Sequence, residues 1–175
     1  MICLMANSLW GAMCVPEYLR FRRATSRVAE EQQAVLRCIL SQNAETEFGK
    51  AHDFSSIHSI AEYQRQVPLR DYDQHQPWIE RAANGIPNVL TREDIRLFEP
   101  TSGSSGATKL IPYTTSLQRE FQRGIHAWIA DLFTQSPELL ASQAFWSVSP
   151  GSVECTRTPG GIAIGFDDDA SYAGG

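Results

Sequence analysis

The chain has 175 residues, 42% apolar, 20% charged and 10% aromatic, which fits a globular domain and excludes bulk disorder. Its formal net charge of −5 argues against non-specific nucleic-acid binding, which needs a basic footprint. Cys3, Cys14, Cys38 and Cys155 form no CxxC pair and stand at no metal-ligand spacing from a histidine, so free thiols of a cytoplasmic protein are expected, with no metal site.

The N-terminal run "MICLMANSLWGAMCVPEYLRFRR" is apolar, but its charges follow the apolar stretch, and no small-residue cleavage site comes after it. It is too short to span a bilayer, so no membrane association is expected. The basic cluster from Arg20 to Arg27 reads as the solvated face of an early helix. From Ala24 to Asn43, Val28, Val35, Leu36, Ile39 and Leu40 recur at helical spacing. In "SIAEYQRQV", Ser59 and Glu62 make a capping box, and Pro68 follows the stop. The segment "QPWIERAANG" predicts a third helix with Pro77 in its first turn and Gly85 as its C-terminal cap. Core packing of a helical segment accounts for all three.

The pattern then changes. "NVLTREDIRLFEPTSG" offers short β-compatible runs ending in Ile95, Leu97 and Phe98, and "KLIPYTT" follows after a hydroxyl-rich stretch. Next comes an amphipathic helix with Thr115 and Gln118 placed for a capping box. Leu117, Phe121, Ile125, Trp128, Ile129, Leu132 and Phe133 fall on one face of it. "AFWSVSP" reads as a buried strand and "TPGGIAIGF" as a turn into another. Helices first and strands later imply a mixed α/β (α+β) layer architecture, without internal repeats.

The hydroxyl-rich stretch is "PTSGSSGATKLIPYT". Gly103 and Gly106 let the backbone bring N–H groups close to an oxyanion. Thr101, Ser102, Ser104 and Ser105 add hydroxyl donors, and Lys109 adds a point charge. The commonest phosphate loop, G-x-x-x-x-G-K-[ST], is excluded, because here two residues separate the glycines and the lysine comes three after the second. The residues alone leave two readings open, an anion-holding loop and a Gly/Ser structural turn. The tight flanks "RLF" and "KLIPY" do not suit a linker.

This stretch resembles the signature loop of the adenylate-forming superfamily: acyl-CoA synthetases, peptide-synthetase adenylation domains and luciferases. The segment "NAETEFGKAHDFSSIHSIAEYQRQVPLRDYDQHQPWIERAANG" is similar to the N-terminal helical part of the auxin-responsive Gretchen Hagen family of acyl-acid amido synthetases. "TRTPGGIAIGFDDDASY" looks like its bacterial branch, and the resemblance runs from about Asn7 to the last residue. Plant members usually carry one more residue before the lysine, with a Gly-Glu pair absent here, so plant hormone substrates are not carried over.

The resemblance implies ATP and Mg²⁺ as reactants, a small carboxylic acid activated as its acyl-adenylate, and an amine or thiol acceptor. It makes Thr101, Ser102, Gly103, Ser104, Ser105, Gly106 and Lys109 contacts of the ATP phosphates. It assigns the helix from Ser116 to Phe133 to the acyl pocket, with Arg119 as a candidate for the substrate carboxylate or simply a solvated helix charge. Residues 1–175 would form the N-terminal part of one large adenylate-forming domain, with 1–90 a helical lead-in and 91–175 carrying strands, loop and helix. The adenine pocket, the ribose-binding acid and the mobile C-terminal domain would lie beyond it, which reads as a fragment. A non-catalytic remnant or interaction module is the alternative. His52, His58, His75 and His126 are scattered without a nucleophile, and Asp167 to Asp169 read as a solvated acidic turn or a Mg²⁺ contact.

Overall fold

A computed structural model describes residues 1–101, 109–143 and 156–166. Six α-helices and a three-stranded sheet are found among them: α1 (Ile2–Ala24), α2 (Val28–Asn43), α3 (Glu47–Ala51), α4 (Ile60–Gln66), α5 (Tyr72–Ala83), β1 (Leu97–Thr101), β2 (Lys109–Tyr113), α6 (Thr115–Gln135) and β3 (Ala163–Ile164). This is the mixed architecture that the sequence implies. It divides into two units, one holding α1 and α6 from Leu117 onward, the other holding α2 to α5 and the sheet.

In the helix-pair unit the N-terminal apolar run forms α1, with Pro16 in its interior and Arg22 and Arg23 in its last turn, where cations complement the helix dipole. No helix among the described residues is long and apolar enough to cross a membrane. Cys14 is fully buried against Ile129 and Ala130 of α6, and Trp10, Tyr18, Ile125 and Phe133 close the cluster. Trp10 meets Phe133 edge to face at 6.0 Å. Gly11 permits that approach, since a Cβ there would stand 3.1 Å from the Phe133 ring. Arg123 Nε donates to Glu17 at 3.1 Å, and the Asn7 amide donates to the carbonyls of Leu140 (3.0 Å) and Ser142 (2.9 Å). Of the apolar face expected on α6, Ile129 is buried, whereas Leu117, Phe121 and Trp128 are exposed.

In the sheet unit, α2 starts at Val28, and only Leu40 and Leu36 of its apolar positions pack inward, against Phe54 and Ile57; Val28, Val35 and Ile39 stay exposed. The Ser59/Glu62 capping box of α4 is formed in full. The third predicted helix begins a turn earlier than Pro77 suggests. Asp71 and Gln74 form a capping box that starts α5 at Tyr72, and Pro77 sits inside it. Its C-terminus matches the expectation. Gly85 adopts φ +84°, Gly85 N–H bonds the Ala82 carbonyl, and Ile86 N–H bonds the Arg81 carbonyl, a Schellman motif that needs a residue free of Cβ strain. Ile79, Ala82 and Ala83 of α5 pack on Val89 and on Phe98 of β1, with Leu110 and Ile164 from the flanking strands.

The sheet order is β2-β1-β3. β1 and β2 are antiparallel, pairing Leu97 with Tyr113 through Thr101 with Lys109, and β3 runs parallel to β1 beside Leu97 and Phe98. The expected turn in "TPGGIAIGF" precedes β3, and the sequence's β-compatible run ending at Phe98 leads into β1. The strand expected in "AFWSVSP" lies outside the described residues. α6 begins at Thr115, so a cap at Thr115 is one residue out of place; the Ser116 N–H instead donates to Glu93 Oε2 at 3.0 Å and its hydroxyl bonds Glu93 Oε1.

Candidate phosphate-binding site

The hydroxyl-rich stretch starts where β1 ends and stops where β2 begins. Thr101 and Lys109 are the last cross-strand pair of the ladder, so both ends of the connection are held together and their side chains leave the same sheet face. Ser102, Gly103, Ser104, Ser105 and Gly106 lie outside the described residues, as do Asp167 to Asp169. Of the predicted phosphate contacts, the two that are described are brought together.

Two prolines fix how this hairpin can hydrogen-bond. Pro100 faces Leu110 and Pro112 faces Phe98, and neither proline has an N–H. Among the described residues β2 lies at the edge of the sheet, which is where a strand proline is tolerated. The Leu110 N–H is directed away from β1 and donates to the hydroxyl of Tyr72, the first residue of α5, at 2.8 Å. The Tyr72 ring also lies under the Lys109 ammonium, 5.4 Å from Nζ to the ring centroid, within cation–π range.

Glu99, two residues before Thr101, shares the sheet face of Thr101 and Lys109. On the neighbouring strand, burial pushes the Tyr113 phenol up, Arg96 opposes that shift and Glu99 adds to it. Tyr113 packs edge to face on Phe166 at 4.8 Å, which ties the far end of the hairpin to the residues after β3. The turn before β3 is pressed against the end of α5. Gly160 N–H donates to the Ala83 carbonyl at 3.0 Å, and a Cβ on Gly160 would stand 2.4 Å from the Gly85 nitrogen.

Arg119 is exposed on α6, in the helix-pair unit. His52 is buried with its Nδ1 2.8 Å from the Phe48 carbonyl and its ring stacked on Phe48, a structural placement. Among the described residues no three His, Cys, Asp or Glu side chains converge on one point. A cavity of about 250 Å³ lies under the loop after α5, lined by Arg92, Glu93, Asp94 and Gly160 among others. It contains none of the sequence-predicted contacts, and Glu93 there is committed to the start of α6.

Sequence reasoning missed Tyr72. The Asp71-x-x-Gln74 spacing would have placed it at the first position of α5, but no local signal announces a contact with residues 109 and 110.

The rice (Oryza sativa subsp. japonica) protein GH3.10, provisionally named an indole-3-acetic acid-amido synthetase, is 29% identical over 166 residues, covering 90% of this chain and 34% of its own length. Among solved structures, the GH3.15 acyl acid amido synthetase superposes with a TM-score of 0.74 at 25% identity, over 87% of this chain and 28% of that one. A second structure, the Arabidopsis GH3.15 enzyme in complex with 2,4-DB, gives a TM-score of 0.65 at 27% identity, over 78% and 24%. The chain therefore spans about a third or less of the relatives it matches. The profile of the GH3 family N-terminal domain matches residues 18–167, and on that match the chain belongs to the GH3 family, the group whose amido synthetases its sequence resembles.

Proposed function

We propose that this chain carries the triphosphate-binding loop of an ATP-dependent acyl acid amido synthetase. The observation behind this reading is the clamped pair Thr101–Lys109, which holds a connection of glycines and hydroxyls between two strand ends. A carboxylate is a poor acyl electrophile, so amide formation needs a leaving group attached first. In the proposed reaction a carboxylate oxygen of the acid attacks the α-phosphorus of ATP, and the bond to the β-phosphate oxygen breaks. Pyrophosphate leaves with its electron pair. The acceptor amine then attacks the acyl carbon, AMP departs, and the amine's proton passes to solvent. A thiol acceptor would follow the same course.

The protein's share in the first step is to hold the departing phosphates, which is electrostatic stabilisation and positioning. Backbone N–H groups around Gly103 and Gly106, the hydroxyls of Thr101, Ser102, Ser104 and Ser105, and the Lys109 ammonium supply the donors. A Mg²⁺ ion accompanying ATP would rest mainly on phosphate oxygens and water. The segment "TRTPGGIAIGFDDDASY" supports a place in the bacterial branch, and the short loop, which lacks the Gly-Glu pair of plant members, supports a substrate acid outside the plant hormones.

The test is binding of inorganic triphosphate, ATP and GTP at two ionic strengths. Phosphate recognition predicts affinities that differ little between bases and fall with salt. Lys109→Ala should lose about tenfold or more, the effect of one hydrogen bond to a charged group. Unchanged affinity in that variant would remove the site, and the ligase chemistry would be read out as acid-dependent exchange of pyrophosphate into ATP by a protein that also carries the adenine-binding part. A non-catalytic interaction module is the second reading, and what favours it is the exposure of Met5, Leu9 and Met13 on α1.

A further inference from the structure

We propose that Tyr72 is the positioning residue for Lys109, fixing the ammonium at the mouth of the loop without neutralising it. The inference rests on the reading of Lys109 as a phosphate contact. Two separate contacts carry it. The Tyr72 hydroxyl accepts the outward N–H of Leu110 at 2.8 Å, so the ring is anchored to the residue that follows Lys109. The face of the same ring lies 5.4 Å from Lys109 Nζ. Tyr72 is in turn fixed from behind, as the first residue of a helix whose capping box closes through Asp71 and Gln74 at 2.9 and 3.0 Å.

The choice of an aromatic face has a chemical consequence. The chain has two lysines, and the other, Lys50, is paired with the Glu45 carboxylate at 3.0 Å. A carboxylate at Lys109 would orient the ammonium equally well, but it would compete with the phosphate and have to be displaced. A ring quadrupole attracts the cation and leaves its full charge available to an anion. The four-carbon stem of lysine otherwise samples many rotamers, and holding it before the ligand arrives removes part of that ordering cost from binding.

Having only two lysines makes the test direct. Reductive methylation with ¹³C-formaldehyde labels Lys50, Lys109 and the N-terminal amine, and keeps all three cationic. In the unmodified sequence the Lys109 methyl resonance should lie upfield of that of Lys50, displaced by the ring current of Tyr72, and should move when inorganic triphosphate is added. Tyr72→Leu should bring the resonance to the Lys50 position and weaken triphosphate binding about two- to fivefold, the range of an exposed cation–π contact. Tyr72→Phe keeps the ring but loses the bond from the Leu110 N–H, so the displacement should persist in reduced form, with affinity between that of the parent and that of Tyr72→Leu. A Lys109 resonance that coincides with that of Lys50 in the unmodified chain overturns the proposal without any variant, so a Tyr72→Leu protein that fails to fold does not protect it. Unchanged affinity in Tyr72→Leu, with Lys109 still responding to triphosphate, overturns it while leaving the phosphate site standing. A ring-shifted Lys109 that ignores triphosphate removes the phosphate reading itself, and this inference with it.

Discussion

The long first helix of one unit and the short helices of the other start in different ways. In the helix-pair unit, α1 runs for 23 residues with no side-chain cap at its first turn. In the sheet unit, α3, α4 and α5 have 5, 7 and 12 residues, and each opens on a side-chain cap, from Thr46, Ser59 and Asp71. Helix formation has a costly nucleus and gains with every added residue, so a long helix can leave its end frayed, whereas one below about 12–15 residues is marginal alone. The short helices satisfy their first N–H groups locally and then bury a face. The cores differ in the same sense. The helix-pair cluster is made by residues spaced at four along two helices, Trp10, Cys14, Tyr18 and Ile125, Ile129, Phe133. The sheet-unit cluster joins α5, Val89, Phe98 and strand residues from separate parts of the chain.

The largest test of that contrast is in the cores. Phe98 is fully buried at the centre of the sheet unit, and Phe98→Ala should cost about 3–5 kcal/mol in urea denaturation. Ile129→Ala in the helix pair should cost nearer 2 kcal/mol, because the partly buried Trp10, Tyr18, Ile125 and Phe133 around it can shift into the gap. If Ile129→Ala proved the more damaging of the two, the helix pair would be the better packed unit and the contrast would be reversed.

A smaller effect is expected where backbone meets backbone. Gly160→Ala would drive a Cβ to 2.4 Å from the Gly85 nitrogen and 2.5 Å from the Asn84 carbonyl carbon, neither of which can rotate away. About 1–3 kcal/mol of destabilisation is expected, with faster hydrogen exchange at β3 and the end of α5. Gly11→Ala, 3.1 Å from the edge of the Phe133 ring, should cost clearly less, because a side chain can shift. Equal losses at the two glycines would show that the α5–β3 turn relaxes as readily as the helix pair.

What could be read from the sequence follows the same division between local and distant interactions. Ser59 and Glu62 announced α4, and Gly85 announced the end of α5, because both signals operate within a few residues. Pro77 misled the start of α5 because proline is expected in a first turn, and here the Asp71–Gln74 box, one turn earlier, decides it. The apolar stripe of α6 was legible as a stripe, but which of its residues would be buried depends on Trp10, Gly11 and Cys14, far away in the chain. At the candidate site, Thr101 and Lys109 drew attention by type and spacing. Their cross-strand pairing is a register, and Tyr72 joins them through a hydrogen bond and a ring face that no periodicity encodes.

The smallest predicted effect is electrostatic and belongs to the helix pair. Glu17 sits between Arg123, at 3.1 Å, and Arg20. Partial burial pushes its carboxyl up, but the hydrogen bonds and charges of Arg123 and Arg20 together outweigh that and hold it below the usual range. A carboxyl with a depressed folded-state pKa contributes stability above its unfolded value, about 4.3 for glutamate, and loses it as pH falls through the lower folded value. Arg123 is about half exposed, so solvent screening limits the contribution to about 0.5–1 kcal/mol. Glu17→Gln should therefore lower the urea midpoint by a small, constant amount between pH 6 and 8. The difference should close as the pH is taken below about 4, and shrink at neutral pH in molar salt. Ser59→Ala, which removes a cap in the sheet unit, should cost about 1 kcal/mol with little dependence on salt. A salt-insensitive loss in Glu17→Gln would mean that the carboxylate acts through packing against α6, and the electrostatic account of this contact would be wrong.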